Sequence, residues 1–183
     1  MDDSFCIAAA RVSLVTVPTL VLEGCVRSTQ YDLVARTTLD VSGRARDVVY
    51  PAGWPGDAIQ LIPAVLARRK AGEMPETILG AIVDRALGVA VGNMGTHGPP
   101  DCGRVEVGYG MLAAYEGHGY ATEMLRAFTS WLLARDDVVR VAAESLASNF
   151  RSMRVLEKCG YVRVGTRVDE EGPLVRWARS AGA

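Results

Sequence analysis

The chain is poor in the residues that build metal centres. It has two histidines, His97 and His118, and four cysteines, at positions 6, 25, 102 and 159. No two cysteines form a C-x-x-C pair, and the spacings fit neither a zinc site nor a dense disulfide frame. No metal is expected, and the thiols read as buried or incidental groups in a reducing cytoplasm. An excess of charge of either sign is also missing. Twenty Lys and Arg stand against 21 Asp and Glu, a formal net charge of −1. That balance argues against a nucleic-acid binder working through a broad basic patch. Long apolar runs are absent as well. The N-terminal apolar stretch carries Arg11, Thr16, Pro18 and Glu23, so no clean membrane span is expected. The first residues, Met-Asp-Asp, lack the positive region of a signal peptide.

What remains is an ordinary globular composition. The 183 residues are 49% hydrophobic and 22% charged, which suits one domain over 1–183 with a proper core. "RVSLVTV" (11–17) alternates and is β-branched, so it reads as a strand. A helix is expected from Pro18 to about Arg27, and a second short one in "TQYDLVARTTL" (29–39). "YPAGWPGD" (50–57) is a loop, and Asp57 is placed as the cap of a helix ending at Gly72. Strands follow in "TILGAIVD" (77–84), "GVAVGNMG" (88–95) and "RVEVGYGML" (104–112). From His118 to Ala134 the apolar residues Ala121, Met124, Leu125, Phe128, Trp131 and Leu132 form a helical stripe. "VVRVAAE" (138–144) is a strand, and 149–160 a helix with Asn149 as N-cap and Gly160 just past its end. A hairpin around "DEEGP" (169–173) closes the chain. Helices and strands mixed around one sheet make the class α+β or α/β.

The chemistry concentrates in "AAYEGHGYATEML" (113–125). A helix start presents free N–H groups and the positive end of its dipole. Glycines in front of it let a phosphate reach the backbone. A dinucleotide fingerprint fits poorly: its third glycine is replaced by Thr122, and residues 112–116 separate the strand from the glycines. A P-loop is excluded because no G-K-[ST] follows. On the strand before the loop, Glu106, Gly108 and Gly110 share one face. Two glycines inside a strand mark close approach by a ligand or another backbone. A long ligand along that strand, with its diphosphate at the helix, has the shape of coenzyme A.

Residues 104–164 resemble the GNAT superfamily of acetyl-CoA-dependent N-acetyltransferases, within it the ribosomal-protein N-terminal acetyltransferase-like group. The family's Q/R-x-x-G-x-G/A motif is similar to Glu116-Gly117-His118-Gly119-Tyr120-Ala121, and its later N-x-x-A/S and LEK-x-G-F/Y motifs to Asn149, Ser152, "VLEKCG" and Tyr161. The resemblance implies a central mixed, mostly antiparallel sheet of six to seven strands, flanked by helices and splayed between the fourth and fifth. Residues 1–75 would form the acceptor side, and 76–183 the coenzyme A core with the C-terminal hairpin.

It also implies transfer of an acetyl group from acetyl-CoA to a primary amine, on a small molecule or a protein N-terminus, by a monomer or homodimer. Met111, Leu112, Glu116, Gly117, His118, Gly119, Tyr120, Ala121, Thr122, Asn149 and Ser152 would contact the coenzyme. A backbone N–H near Met111 or Leu112 would hold the oxyanion. Glu144, and after it Glu106, are the candidate bases, and Ser152 or water would protonate the thiolate. His118 reads as a solvent-facing loop residue, while His97 and Trp54 could border the acceptor. Two residues depart from the family. Glu116 stands where Gln or Arg is usual, and Leu156 where many members carry a proton-donating tyrosine. Both keep a second reading open, a coenzyme A-binding sensor without turnover.

Overall fold

Alternating apolar residues set most of the strands, and 3.6-residue stripes set the helices that cover them. The computed structural model describes residues 5–39, 45–72 and 79–181. In chain order these form β1 (Cys6–Ala8), β2 (Val12–Thr16), α1 (Thr19–Arg27), β3 (Leu33–Thr38) and β4 (Ala45–Tyr50). Then come α2 (Ile62–Lys70), β5 (Leu79–Asp84), β6 (Val89–Thr96), β7 (Arg104–Met111) and α3 (Tyr120–Leu133). β8 (Arg140–Leu146), α4 (Phe150–Lys158), β9 (Val162–Asp169) and β10 (Gly172–Ser180) complete the chain. The sheet runs β1-β2-β5-β6-β7-β8-β10-β9, with β3 paired to β4 and β4 touching β6. Its ladders are antiparallel except at β4–β6 and β7–β8.

Two cores lie on opposite faces of this sheet. One packs Met124, Leu125, Phe128 and Leu132 of α3 and Met153 and Leu156 of α4 against Val105, Val107, Val141 and Trp177. The other packs Val21 and Leu22 of α1 and Ile62 and Val65 of α2 against Val15, Ala81, Val83, Tyr50 and Trp54. Trp54 is buried and donates its indole N–H to the Gly92 carbonyl at 3.0 Å, so the Pro/Gly loop is pinned against β6.

Several expectations need correction. Residues 33–38 form a strand, not part of a helix, because every residue of β3 pairs with β4. β1 and β4 were not anticipated at all; β1 is three residues long, and β4 reads "ARDVVY" with two charges in its first half. Asp57 caps no α-helix. It lies in a 3₁₀ stretch, Gly56–Leu61, without a side-chain cap, and the α-helix begins at Ile62. Pro63 then falls in the first turn, where its missing N–H is not needed. The ten strands exceed the six or seven expected by β1, β3 and β4. Without these three, β7 and β8 are the fourth and fifth, and there the sheet opens. The proposed boundary between 75 and 76, like Thr77 and Ile78, lies outside the described residues.

One tie joins the N-terminal part to α3. The Arg11 side chain donates to Glu123 at 2.8 Å and to the His118 carbonyl at 3.2 Å, and its guanidinium lies over the Tyr120 ring. The Tyr120 hydroxyl donates to Asp84 at 2.7 Å, and Asp84 also accepts the Ala86 and Leu87 N–H groups of the β5–β6 turn.

Phe128 is fully buried in the first core. Phe128→Ala is expected to lose about 3–5 kcal/mol of stability, read from urea midpoints. At Asp84, desolvation pushes the carboxyl pKa up, but the Leu87 and Ala86 N–H groups, the Tyr120 hydroxyl and the Arg11 charge outweigh it. The net shift is downward. A depressed carboxylate adds stability above its unfolded pKa of about 3.9 and loses it as pH falls through the lower folded value. Asp84→Asn should therefore be destabilised at about pH 5, with the gap to wild type narrowing towards about pH 3.

Candidate active site

The backbone of β7 sets the site. The Leu112 N–H donates to the Val91 carbonyl at 3.0 Å, and the His97 N–H donates to the Glu106 carbonyl at 2.9 Å. These two bonds fix the alternation. Even-numbered residues of this stretch turn their peptide groups to β6, and odd-numbered ones turn theirs away. On that other flank β8 pairs only with Arg104, Val105 and Glu106. Beyond it, Tyr109 and Met111 present N–H and C=O groups to an open splay. The expected oxyanion donor is thereby narrowed: the Leu112 N–H is already taken by Val91, while that of Met111 faces the opening.

The chain then turns into α3 through the glycine loop. Gly117 and Gly119 have φ of 78° and 81°, in the left-handed region. A side-chain carbon at Gly117 would meet open space. Among the described residues, no N–H from Gly117 to Thr122 donates a hydrogen bond, and no side chain caps α3. Six consecutive unspent amides at a helix start form an anion cradle. His118 turns its Nδ1 to the Glu116 carbonyl at 2.9 Å and stacks beside Tyr120. Tyr120 is engaged with Asp84, so only its backbone faces the cradle. The charge of Glu116 is met by Arg151 of α4 through an ion pair.

Beside the splay lies a cleft of about 1120 Å³, lined by residues of β6, β7, β9, the hairpin turn and the 56–61 segment. On the wall of this cleft the two strand glycines have a different cause from the one expected. The His97 ring lies across Gly108, its Nε2 2.5 Å from where a side-chain carbon would sit, and the Asn93 amide lies 3.2 Å from the same point at Gly110. The glycines make room for neighbouring side chains of the sheet, and the wall is formed by those side chains.

Both candidate bases are on this wall, with different partners. Glu144 receives the Arg167 guanidinium on both oxygens, at 2.6 to 3.0 Å, with Arg176 at 3.7 Å. Glu106 has Arg104 on Oε2 at 2.7 Å and His97 Nδ1 on Oε1 at 3.5 Å. The His97 hydrogen bond lowers the Glu106 pKa, desolvation opposes it, and Arg104 adds to the lowering. His97 lines the same cleft.

On the opposite face, Ser152 of α4 lies 2.9 Å from the Tyr109 hydroxyl. Burial pushes the Tyr109 pKa up to about 12. Sequence reasoning did not single out Tyr109, whose side chain reads as one more strand aromatic. Asn149 accepts the Ser152 N–H at 3.0 Å, the N-cap role expected of it. Leu156 is fully buried. Among the described residues, no three His, Cys, Asp or Glu side chains cluster so as to hold a metal ion, and no helix is long and apolar enough to cross a membrane.

Comparison with known proteins agrees with this geometry. An uncharacterized N-acetyltransferase of Bacillus subtilis, YjdG, is 33% identical over 73 residues, 39% of this chain and 44% of that protein. The chain thus spans less than half the length of that relative. The ribosomal L7/L12 alpha-N-protein acetyltransferase RimL, solved with coenzyme A, superposes with a TM-score of 0.68 at 13% identity, covering 96% of this chain and 98% of that one. Aminoglycoside acetyltransferase AAC(6')-Ib, also solved with coenzyme A, gives a TM-score of 0.54 at 23% identity over 67% of this chain and 73% of its own. The acetyltransferase (GNAT) domain model matches residues 40–162. That match spans well over half of the sequence and takes in the splay, the glycine loop and α4, and the chain belongs to the GNAT acetyltransferases.

Proposed function

We propose that this protein transfers an acetyl group from acetyl-CoA to a primary amine, directly and without an acyl-enzyme. One observation carries the reading. The unpaired peptide groups of Tyr109 and Met111 lead straight into six unspent N–H groups at residues 117–122. That run suits a ligand with amides at one end and a diphosphate at the other. Acetyl-CoA is such a molecule, and RimL and AAC(6')-Ib were both solved with coenzyme A.

Each group then has a task. Gly117, Gly119 and the amides through Thr122 hold the diphosphate, while Glu116 stays neutralised by Arg151. Asn149 holds the start of α4, and with it Ser152, beside the opening. The Met111 N–H stabilises the oxyanion formed when the amine attacks the thioester carbonyl. On collapse the C–S bond breaks, and Ser152, backed by the Tyr109 hydroxyl, passes a proton to the departing thiolate. A thiol has a pKa of about 8–9, so a hydroxyl relay suffices where Leu156 supplies no proton. A base on the acceptor-side wall removes the proton that the amine carries at neutral pH. AAC(6')-Ib and RimL are named for an aminoglycoside and a protein N-terminus. Both acceptor types are amines, and the carboxylates of the cleft favour a cationic one. Cys25, Cys102 and Cys159 are free thiols, which fits a reducing cytoplasm.

Wild type is expected to gain thermal stability from acetyl-CoA and none from NAD. Gly119→Val places a β-branched residue at φ 81° and a side chain inside the cradle. It should lower acetyl-CoA affinity at least about tenfold by calorimetry, through backbone strain and lost amides. An unchanged dissociation constant would remove the diphosphate from this loop.

A further inference from the structure

The geometry points to His97 as the catalytic base, with Glu106 orienting it and Glu144 serving as the anchor of Arg167. This inference rests on the acetyl-transfer reading. Both oxygens of Glu144 are already bound by one guanidinium, and those of Glu106 are shared between Arg104 and His97. Each carboxylate is therefore engaged before any acceptor arrives. The imidazole is placed differently. Its Nδ1 faces Glu106, while its Nε2 lies over Gly108, further along β7 in the direction of Met111. Glu106, the His97 ring over Gly108 and the Met111 amide thus follow one another along β7. An amine entering the cleft meets Nε2 on the same side of the sheet, before it reaches the splay.

The sequence explains why the ring can lie there. His97 directly follows β6, and its N–H is tied to the Glu106 carbonyl, which brings the side chain beside β7. Glycine at 108 is the one residue that leaves the ring room, so any side chain there would displace it. Glu106 Oε1 lies 3.5 Å from Nδ1, so the neutral ring would carry its proton there and leave its lone pair on Nε2. The proton balance is complete. Nε2 takes a proton from the ammonium, the amine lone pair forms the C–N bond, and the C–S bond breaks. The second nitrogen proton leaves by way of Ser152 to the thiolate, and the imidazolium returns its proton to water.

The surroundings favour this exchange. The Glu106 hydrogen bond raises the His97 pKa above its ordinary value, desolvation opposes it, and the charges of Glu106 and Glu144 raise it further. The other charges facing the cleft are Arg104 beside Glu106, Arg167 and Asp169 of β9, Asp57 and Glu171. The base is active when neutral, so turnover should rise with pH through the raised His97 value and level off above it.

The test uses the full chain with acetyl-CoA and three acceptors: kanamycin, spermidine and a serine-terminated peptide. Free-thiol release is followed across pH. His97→Gln should lower kcat about 100-fold or more, leave KM for acetyl-CoA in place and abolish the acidic limb. Glu106→Gln should keep a limb but move it to lower pH. Nitrogen-resolved NMR of the wild type, with His118→Ala for assignment, should show the neutral His97 ring protonated on Nδ1. A His97→Gln protein as fast as wild type, or a ring protonated on Nε2, overturns the role of His97 alone. Wild type that binds acetyl-CoA and acetylates none of the three acceptors overturns the transferase reading, and the base with it.

Discussion

Parallel pairing between β7 and β8 stops after Glu106 and Ala142, although both strands run on. The peptide groups of Tyr109 and Met111 are left without a ladder partner at the middle of a sheet. Unpaired peptide groups are stable only if water or a ligand satisfies them. The opening must therefore stay accessible, and a ligand with amides of its own is the natural replacement for the missing strand. Its depth follows from the two cores. α3 and α4 close one face of the sheet and the α1/α2 layer closes the other. The gap between β7 and β8 is left as the passage from one side to the other.

Because the passage joins two faces, the proposed acid and base need not share a surface. Side-chain alternation along β7 places Tyr109 towards α4 and Glu106 towards the cleft. In the proposed reaction, proton removal and proton delivery would fall on opposite sides of the sheet, with the reacting carbonyl between them. That separation matters for direct transfer. A base and an acid in contact would exchange their proton with each other and not with the substrates. The Arg167–Glu144 pair adds a second constraint. It links β9 to β8 across β10, stiffening the flank of the opening that has no strand beside it.

How much of this could be read in the residues depended on range. Elements with strong local periodicity, α3 and the β9–β10 hairpin, emerged near their observed bounds, as did the caps Asn149 and Gly160. β3 and β4 did not, because "DLVARTT" and "ARDVVY" carry charges that a lone reading assigns to helix or loop. Their strand state is decided by pairing with each other and by Tyr50 entering the second core. The glycine turn into α3 was legible from its residues. The cleft wall was not. The packing of His97 against Gly108, and of Asn93 against Gly110, joins residues from different strands, and nothing local in the sequence announces it. A glycine marks close approach but does not say by what.

The two departures from the family's motifs meet on the same helix. Glu116 would set a negative charge at the mouth of a diphosphate cradle, and Arg151 of α4 cancels it. Leu156 offers no proton, and the next residue after Arg151, Ser152, carries a hydroxyl with that of Tyr109 behind it. Leu156 itself is spent on the core. Arg151 and Ser152 lie in the first turn of α4, fixed by the Asn149 cap, whereas Leu156 lies a turn further on. A cap that elsewhere would only end a helix here sets the position of both compensating side chains.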